Sequence, residues 1–152
     1  MNSTQPIVIF WFRRDLRLDD NTAFYKALTS GLKVLPIFIF DTSILAKLHK
    51  SDNRVGFIYK TLEQLNKQLL VHNSSIHFYY GNVLEVFESI ISNYTVSEVY
   101  TNHDYEPYAT DRDLKVKKYL AEKGVLFRSY KDQVVFEKSE VSRPNGEPYT
   151  VF

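Results

Sequence analysis

Cysteine is missing from this 152-residue chain, which excludes disulfides, thiolate nucleophiles and cysteine-held zinc and fits a reducing compartment. Glycine and proline are scarce, five of each. The glycines (Gly31, Gly56, Gly81, Gly124, Gly146) stand too far apart to build a phosphate-cradling loop, and no G-x-S-x-G nucleophile elbow is present. Excess charge of either sign is lacking too. Nineteen Lys and Arg face 18 Asp and Glu, a net charge of +1 that supplies no field to draw in a polyanion, so tight DNA binding by this piece alone is not expected. The four histidines, His49, His72, His77 and His103, share no spacing that would gather a metal. No apolar run approaches the roughly 18 residues of a membrane span, and Met1 to Gln5 lack the pattern of a signal peptide. The expectation is a cytoplasmic protein with no membrane partner.

What is present describes one globular domain. Hydrophobic residues make up 44% and charged residues 24%, and a chain of this length can bury roughly 70% of the surface it exposes when unfolded. The 11 Tyr and 11 Phe read chiefly as core material. Strand-like and helix-like segments alternate along the chain. Ile7 to Phe12 and Val34 to Phe40 are nearly continuous apolar runs, the signature of central strands covered on both faces. Ile76 to Tyr80, Glu98 to Thr101 and Leu126 to Ser129 supply three more. Between them, Val55, Ile58, Leu62, Leu65 and Leu69 form an apolar stripe at helical spacing. Asn82 with Glu85 resembles a capping box, Asp20 to Asn21 can cap a helix carrying Ala23, Phe24 and Ala27, and a helix near Tyr108 to Lys123 stops at Gly124. The pattern predicts an α/β fold: a Rossmann-like, doubly wound, five-stranded parallel sheet with helices on both faces.

In such a sheet ligands bind outside the carboxyl ends of the strands. The residues leaving those ends are Arg13, Arg14, Asp15 and Arg17 after the first strand, Asp41 after the second, and Asn102, His103, Asp104 and Glu106 after the fourth. They would suit a planar polar ligand with aromatic walls from Phe10, Phe12 or Phe40. Alternatively Arg13, Asp15, Arg17 and Asp19 pair with one another and merely fix a loop.

The stretch from Phe10 to Asn21, FWFRRDLRLDDN, resembles the opening signature of the photolyase and cryptochrome family. Asp52 to Ile58, Tyr80 to Asn82, Asn102 to Asp113 and Asn145 to Phe152 are similar to four later stretches of that family, in the same order. The resemblance implies that residues 1–130 form the antenna-binding α/β domain and that 131–152 begin the link to a C-terminal helical domain, the partner that carries FAD and meets UV-damaged DNA. It implies light-driven repair of cyclobutane pyrimidine dimers by the full-length protein, a carbon-carbon lyase activity that this piece alone would lack. For the antenna site it points to Arg14, Asp41, Arg54, Asp104 and Glu106, the positions of a deazaflavin pocket, with His49 matching a folate-binding histidine. Where folate binders carry an amide and a carboxylate this chain has Tyr108 and Ala109, so 8-hydroxy-5-deazaflavin is favoured over 5,10-methenyltetrahydrofolate or a second flavin. The alternatives are a cryptochrome-type blue-light receptor and, from another class, a self-contained nucleotide-binding module.

Overall fold

The computed structural model describes residues 5–49, 51–136, 140–143 and 145–147. Five strands, β1 (Ile7–Phe12), β2 (Lys33–Asp41), β3 (His77–Gly81), β4 (Val96–Asn102) and β5 (Leu126–Tyr130), alternate with helices α1 (Thr22–Leu28), α2 (Thr42–Leu45), α3 (Asn53–Leu70), α4 (Val83–Asn93) and α5 (Pro107–Glu122). All neighbouring strands run parallel, in the order β3-β2-β1-β4-β5. The order reverses at β1, whose neighbours are β2 and β4. Every residue of β1 is buried, which is why that run carries no polar alternation.

Successive side chains on a strand point to opposite faces, and β1 shows this plainly. Val8, Phe10 and Phe12 pack with Phe24 of α1 and Leu62, Leu65 and Leu69 of α3. Ile9 and Trp11 pack with Phe87 and Ile90 of α4 and Val116 and Leu120 of α5. The first two crossover helices thus cover one face and the last two the other, the doubly wound arrangement expected from the sequence. Pro36 lies inside β2, where a missing N–H would normally cost a ladder bond. It precedes Ile37, the first β2 residue paired with β3, and so falls where β2 has only β1 as a neighbour.

Helix starts follow their caps. The side chains of Asn21, Asp52 and Asn82 accept hydrogen bonds from the backbone N–H groups of Phe24, Arg54 and Leu84. At Asn82 the bond goes to the second helical residue, a simple cap in place of the reciprocal box expected with Glu85. Gly124 ends α5 with a φ of +74, the left-handed conformation that only glycine adopts without strain. The short α2 was not foreseen. It is a single turn, started when the Asp41 carboxylate accepts from the Ser43 N–H at 2.9 Å. Beyond Tyr130 no further helix or strand occurs among the described residues, and most of the Asn145 to Phe152 stretch lies outside them.

Candidate functional site

The carboxyl edge of the sheet has two unlike sides. On the β2 side of β1 lies a cavity of about 640 Å³, within the size range of small-molecule sites. Its wall is apolar: Phe12, Phe38 and Phe40 come from the strands, and Val55, Phe57 and Ile58 from the first turns of α3. Phe38 and Phe40 meet edge to face with centroids 4.9 Å apart. Phe10, expected as a wall, is fully buried beneath α1 and does not reach the cavity, because on β1 it sits a full pleat repeat below Phe12.

The rim is charged. Arg14 donates to Glu106 at 2.8 Å and lies 3.6 Å from Asp104, so one arginine ties the β1 exit to the β4 exit. This pair is open to water, with Arg14 55% and Glu106 70% exposed, and exposed ion pairs hold little stability. Arg54 forks onto Asp52 at 2.6 Å, and the Arg54 hydrogen bonds hold the Asp52 carboxyl down to about 2. Asp41 is buried and accepts from the Tyr108 hydroxyl at 2.6 Å, a bond that links the start of α5 to the end of β2 across the cavity. Burial and that bond to Asp41 raise the Tyr108 phenol above its ordinary value. Among the described residues no cluster of His, Asp and Glu could hold a metal.

Toward β4 the edge is held by buried polar groups, although Arg13, Asp15 and Arg17 also border the cavity. The Asn102 amide donates to Asp15 and to Asn21, and its oxygen accepts from the Ala23 N–H at 2.9 Å. Asp15, Asn21 and Asn102 are all buried and all satisfied. The guanidinium groups of Arg13 and Arg17 ion-pair outside their own loop, although Arg17 also donates to the Asp20 carbonyl at 2.6 Å. Arg13 clamps Asp113 of α5 at 2.6 and 2.8 Å and also donates to the Asn102 carbonyl. Arg17 bonds Asp132, which in turn accepts from the Thr22 N–H at 2.8 Å. Burial lowers the Arg13 value, opposed by the Asp113 charge.

Of the six residues singled out in the sequence, Arg14, Asp41, Arg54, Asp104 and Glu106 line this cavity. His49 is not among the lining residues. Its Nδ1 pairs with the Ser51 hydroxyl at 2.8 Å, in the turn between α2 and α3. The residues that sequence reasoning passed over are Trp11 and Arg112, which also line the cavity, and Asp132, which lies in what reads as a polar tail. The Arg112 guanidinium carbon stands 4.9 Å from the Trp11 ring centroid and 5.8 Å from that of Tyr108. Arg112 stands three residues after Ala109 and four before Val116, along the buried stripe of α5, but a lone arginine there is a signal too weak to read alone.

Comparison with known proteins joins this geometry to a lineage. The DNA photolyase family matches residues 8–152. A deoxyribodipyrimidine photo-lyase of Buchnera aphidicola is 30% identical over 149 residues, 95% of this chain and 31% of its own, and cryptochromes match as well. A class III photolyase from Agrobacterium tumefaciens superposes with a TM-score of 0.85 at 27% identity, over 99% of this chain and 31% of its own. An archaeal photolyase from Sulfolobus tokodaii, solved with two FAD molecules, superposes with a TM-score of 0.82 at 34% identity, over 90% of this chain and 32% of its own. The chain spans about half or less of the length of the curated relatives it matches. Matched by the family over residues 8–152 and superposing on a solved member over 99% of its length, this chain belongs to the DNA photolyase family and has the fold of its N-terminal α/β domain.

Proposed function

We propose that this domain binds a light-harvesting chromophore in the cavity beside β1 and β2, as part of a protein that repairs cyclobutane pyrimidine dimers in DNA. The observation that carries the reading is the cavity itself: about 640 Å³, with aromatic and aliphatic walls and a rim of Arg14, Arg54, Asp41, Asp104 and Glu106. Those residues fit a flat heterocycle. The walls bury its rings, the arginines donate to carbonyl or anionic groups, and the carboxylates accept from ring N–H groups or hold the arginines in place. When bound, such a pigment absorbs light and passes the excitation to a reduced FAD held elsewhere in the protein. The chain's own residues orient the pigment and keep water from its rings.

The favoured pigment is 8-hydroxy-5-deazaflavin, with 5,10-methenyltetrahydrofolate and a second flavin as the other arms. A second flavin gains support from the archaeal relative, whose structure is described as implying a novel light-harvesting cofactor. The relatives named deoxyribodipyrimidine photo-lyase support a lyase reading; in it the full-length protein acts on UV-damaged DNA through a helical FAD domain, in the cytoplasm. Without that domain these 152 residues are expected not to split dimers under blue light. A cryptochrome-type light receptor is the second reading, favoured by relatives of that name at similar identity. No helix among the described residues is long and apolar enough to cross a membrane.

Titration of the three pigments, followed by fluorescence, tests the proposal in wild type and in Arg14→Ala and Glu106→Ala. One pigment is expected to bind, at least tenfold more weakly to Arg14→Ala, while thermal melts stay close to wild type. Equal binding by all three proteins overturns the assignment of these residues.

A further inference from the structure

Trp11 is the only tryptophan in the chain. It lines the cavity at the end of β1 and is only 2% exposed, with Phe87 packed edge-on against it at 5.1 Å. Among the neutral aromatic side chains, indole gives up an electron most readily when no proton leaves with it. Beside a photoexcited flavin-class pigment it is normally a quencher: Trp11 would lose one electron and become an indolyl radical cation, and that electron would reside on the pigment. The excitation would then be spent before it could be passed on.

The surroundings of Trp11 oppose that loss. Two guanidinium groups stand within cation-π range of its ring, Arg13 at 5.0 Å and Arg112 at 4.9 Å. Both are shielded from water, with side chains 7% and 10% exposed, so solvent screens their charge weakly. Among the described residues Asp113 is the carboxylate that bonds both, at 2.6 Å from Arg13 and 3.1 Å from Arg112. Two cations sharing one anion leave a net positive charge beside the indole. Asp104 also acts on Arg13, but it is engaged by Arg14 at 3.6 Å. A second positive charge placed on the ring is therefore disfavoured.

We infer that Arg13 and Arg112 make Trp11 a poor electron donor and so protect the excited state of a chromophore held in this cavity. The inference rests on the chromophore reading above and assigns to these residues a part in light harvesting separate from binding. Arg112 is the better handle, because Arg13 also anchors the packed side of the sheet edge through the Asn102 carbonyl.

The test loads the 152-residue chain with FMN or with 8-hydroxy-5-deazaflavin and measures the fluorescence lifetime of the bound pigment. Arg112→Met is expected to shorten the lifetime at least twofold, and Arg112→Lys, which keeps the charge, to retain most of it. Adding Trp11→Phe to Arg112→Met should restore the long lifetime. Arg112→Gln repeats the measurement should methionine disturb the fold. An unchanged lifetime in both Arg112→Met and Arg112→Gln, or no restoration by Trp11→Phe, overturns the inference and leaves pigment binding standing. Failure of both pigments to bind wild type is a different result: it overturns the chromophore reading for flavin-class pigments, and this inference with it.

Discussion

The two sides of β1 at its carboxyl end use the same kinds of residue to opposite effect. Toward β4, Asp15, Asn21, Asn102 and the Arg13–Asp113 clamp are buried and mutually satisfied. Toward β2, Arg14–Glu106 and Arg54–Asp52 stand in water around a cavity. A buried hydrogen-bonded group cannot be lost without stranding its partners, whereas an exposed pair can be given up to a ligand at small cost. The cavity therefore opens beside β1, where the strand order reverses and where ligands usually sit, and its rim draws on the exits of both β1 and β4.

The comparison breaks most directly at Asn102. Asn102→Ala strands the Asp15 carboxylate and the Ala23 N–H inside the protein, and is expected to cost about 3 kcal/mol. Urea denaturation would read this as a lower midpoint; a change under about 1 kcal/mol would mean that the network is not a unit.

Asp132 tests whether the packed side extends past the last strand. Burial opposes its charge, but the bonds from the Thr22 N–H and Arg17 outweigh it and hold its pKa below the ordinary carboxylate range. A folded value below the unfolded one, near ~3.9, stabilises the fold above that pH and is lost as pH falls through the folded value. Asp132→Asn should cost about 1–2 kcal/mol at neutral pH and flatten the fall in stability under acid. Parallel acid dependence in mutant and wild type would count against the role given to Asp132.

On the open side the ranking inverts. Arg14→Ala and Glu106→Ala should each change stability by about 1 kcal/mol or less, although they border the same sheet edge. Thermal melts decide this independently of any pigment, and a loss as large as that of Asn102→Ala would erase the contrast between the two sides.

The smallest effect is expected at Gly56, in the first turns of α3. A Cβ there meets nothing within 4 Å, and no left-handed φ is required. Gly56→Ala should therefore stabilise by about 0.5–1 kcal/mol, chiefly through the unfolded chain. A destabilised variant would show that the cavity wall needs room or flexibility that the packing does not display.

The strands and helices were legible because burial writes a period into the chain. Ile7 to Phe12 is apolar throughout because helices cover both faces of β1, and Leu62, Leu65 and Leu69 repeat at helical spacing because one side of α3 meets the sheet. Strand ends then follow from the order of elements, and that alone brought Arg14, Asp41, Asp104 and Glu106 to one edge. Which of them would face the cavity was not written in that way. Burial at this edge depends on partners about 80 to 115 residues away, such as Asn102 for Asn21 and Asp132 for Arg17, and a local pattern holds no record of such distances. The sequence by itself determined the five strands, the four longer helices, their alternation and the charged loop ends, since these depend on neighbours along the chain. Only the tertiary structure decided that Asp15 and Arg13 are locked in, that His49 turns to Ser51, and that Arg112 comes to rest on Trp11, since each follows from which side of β1 the packing closes and which it leaves open.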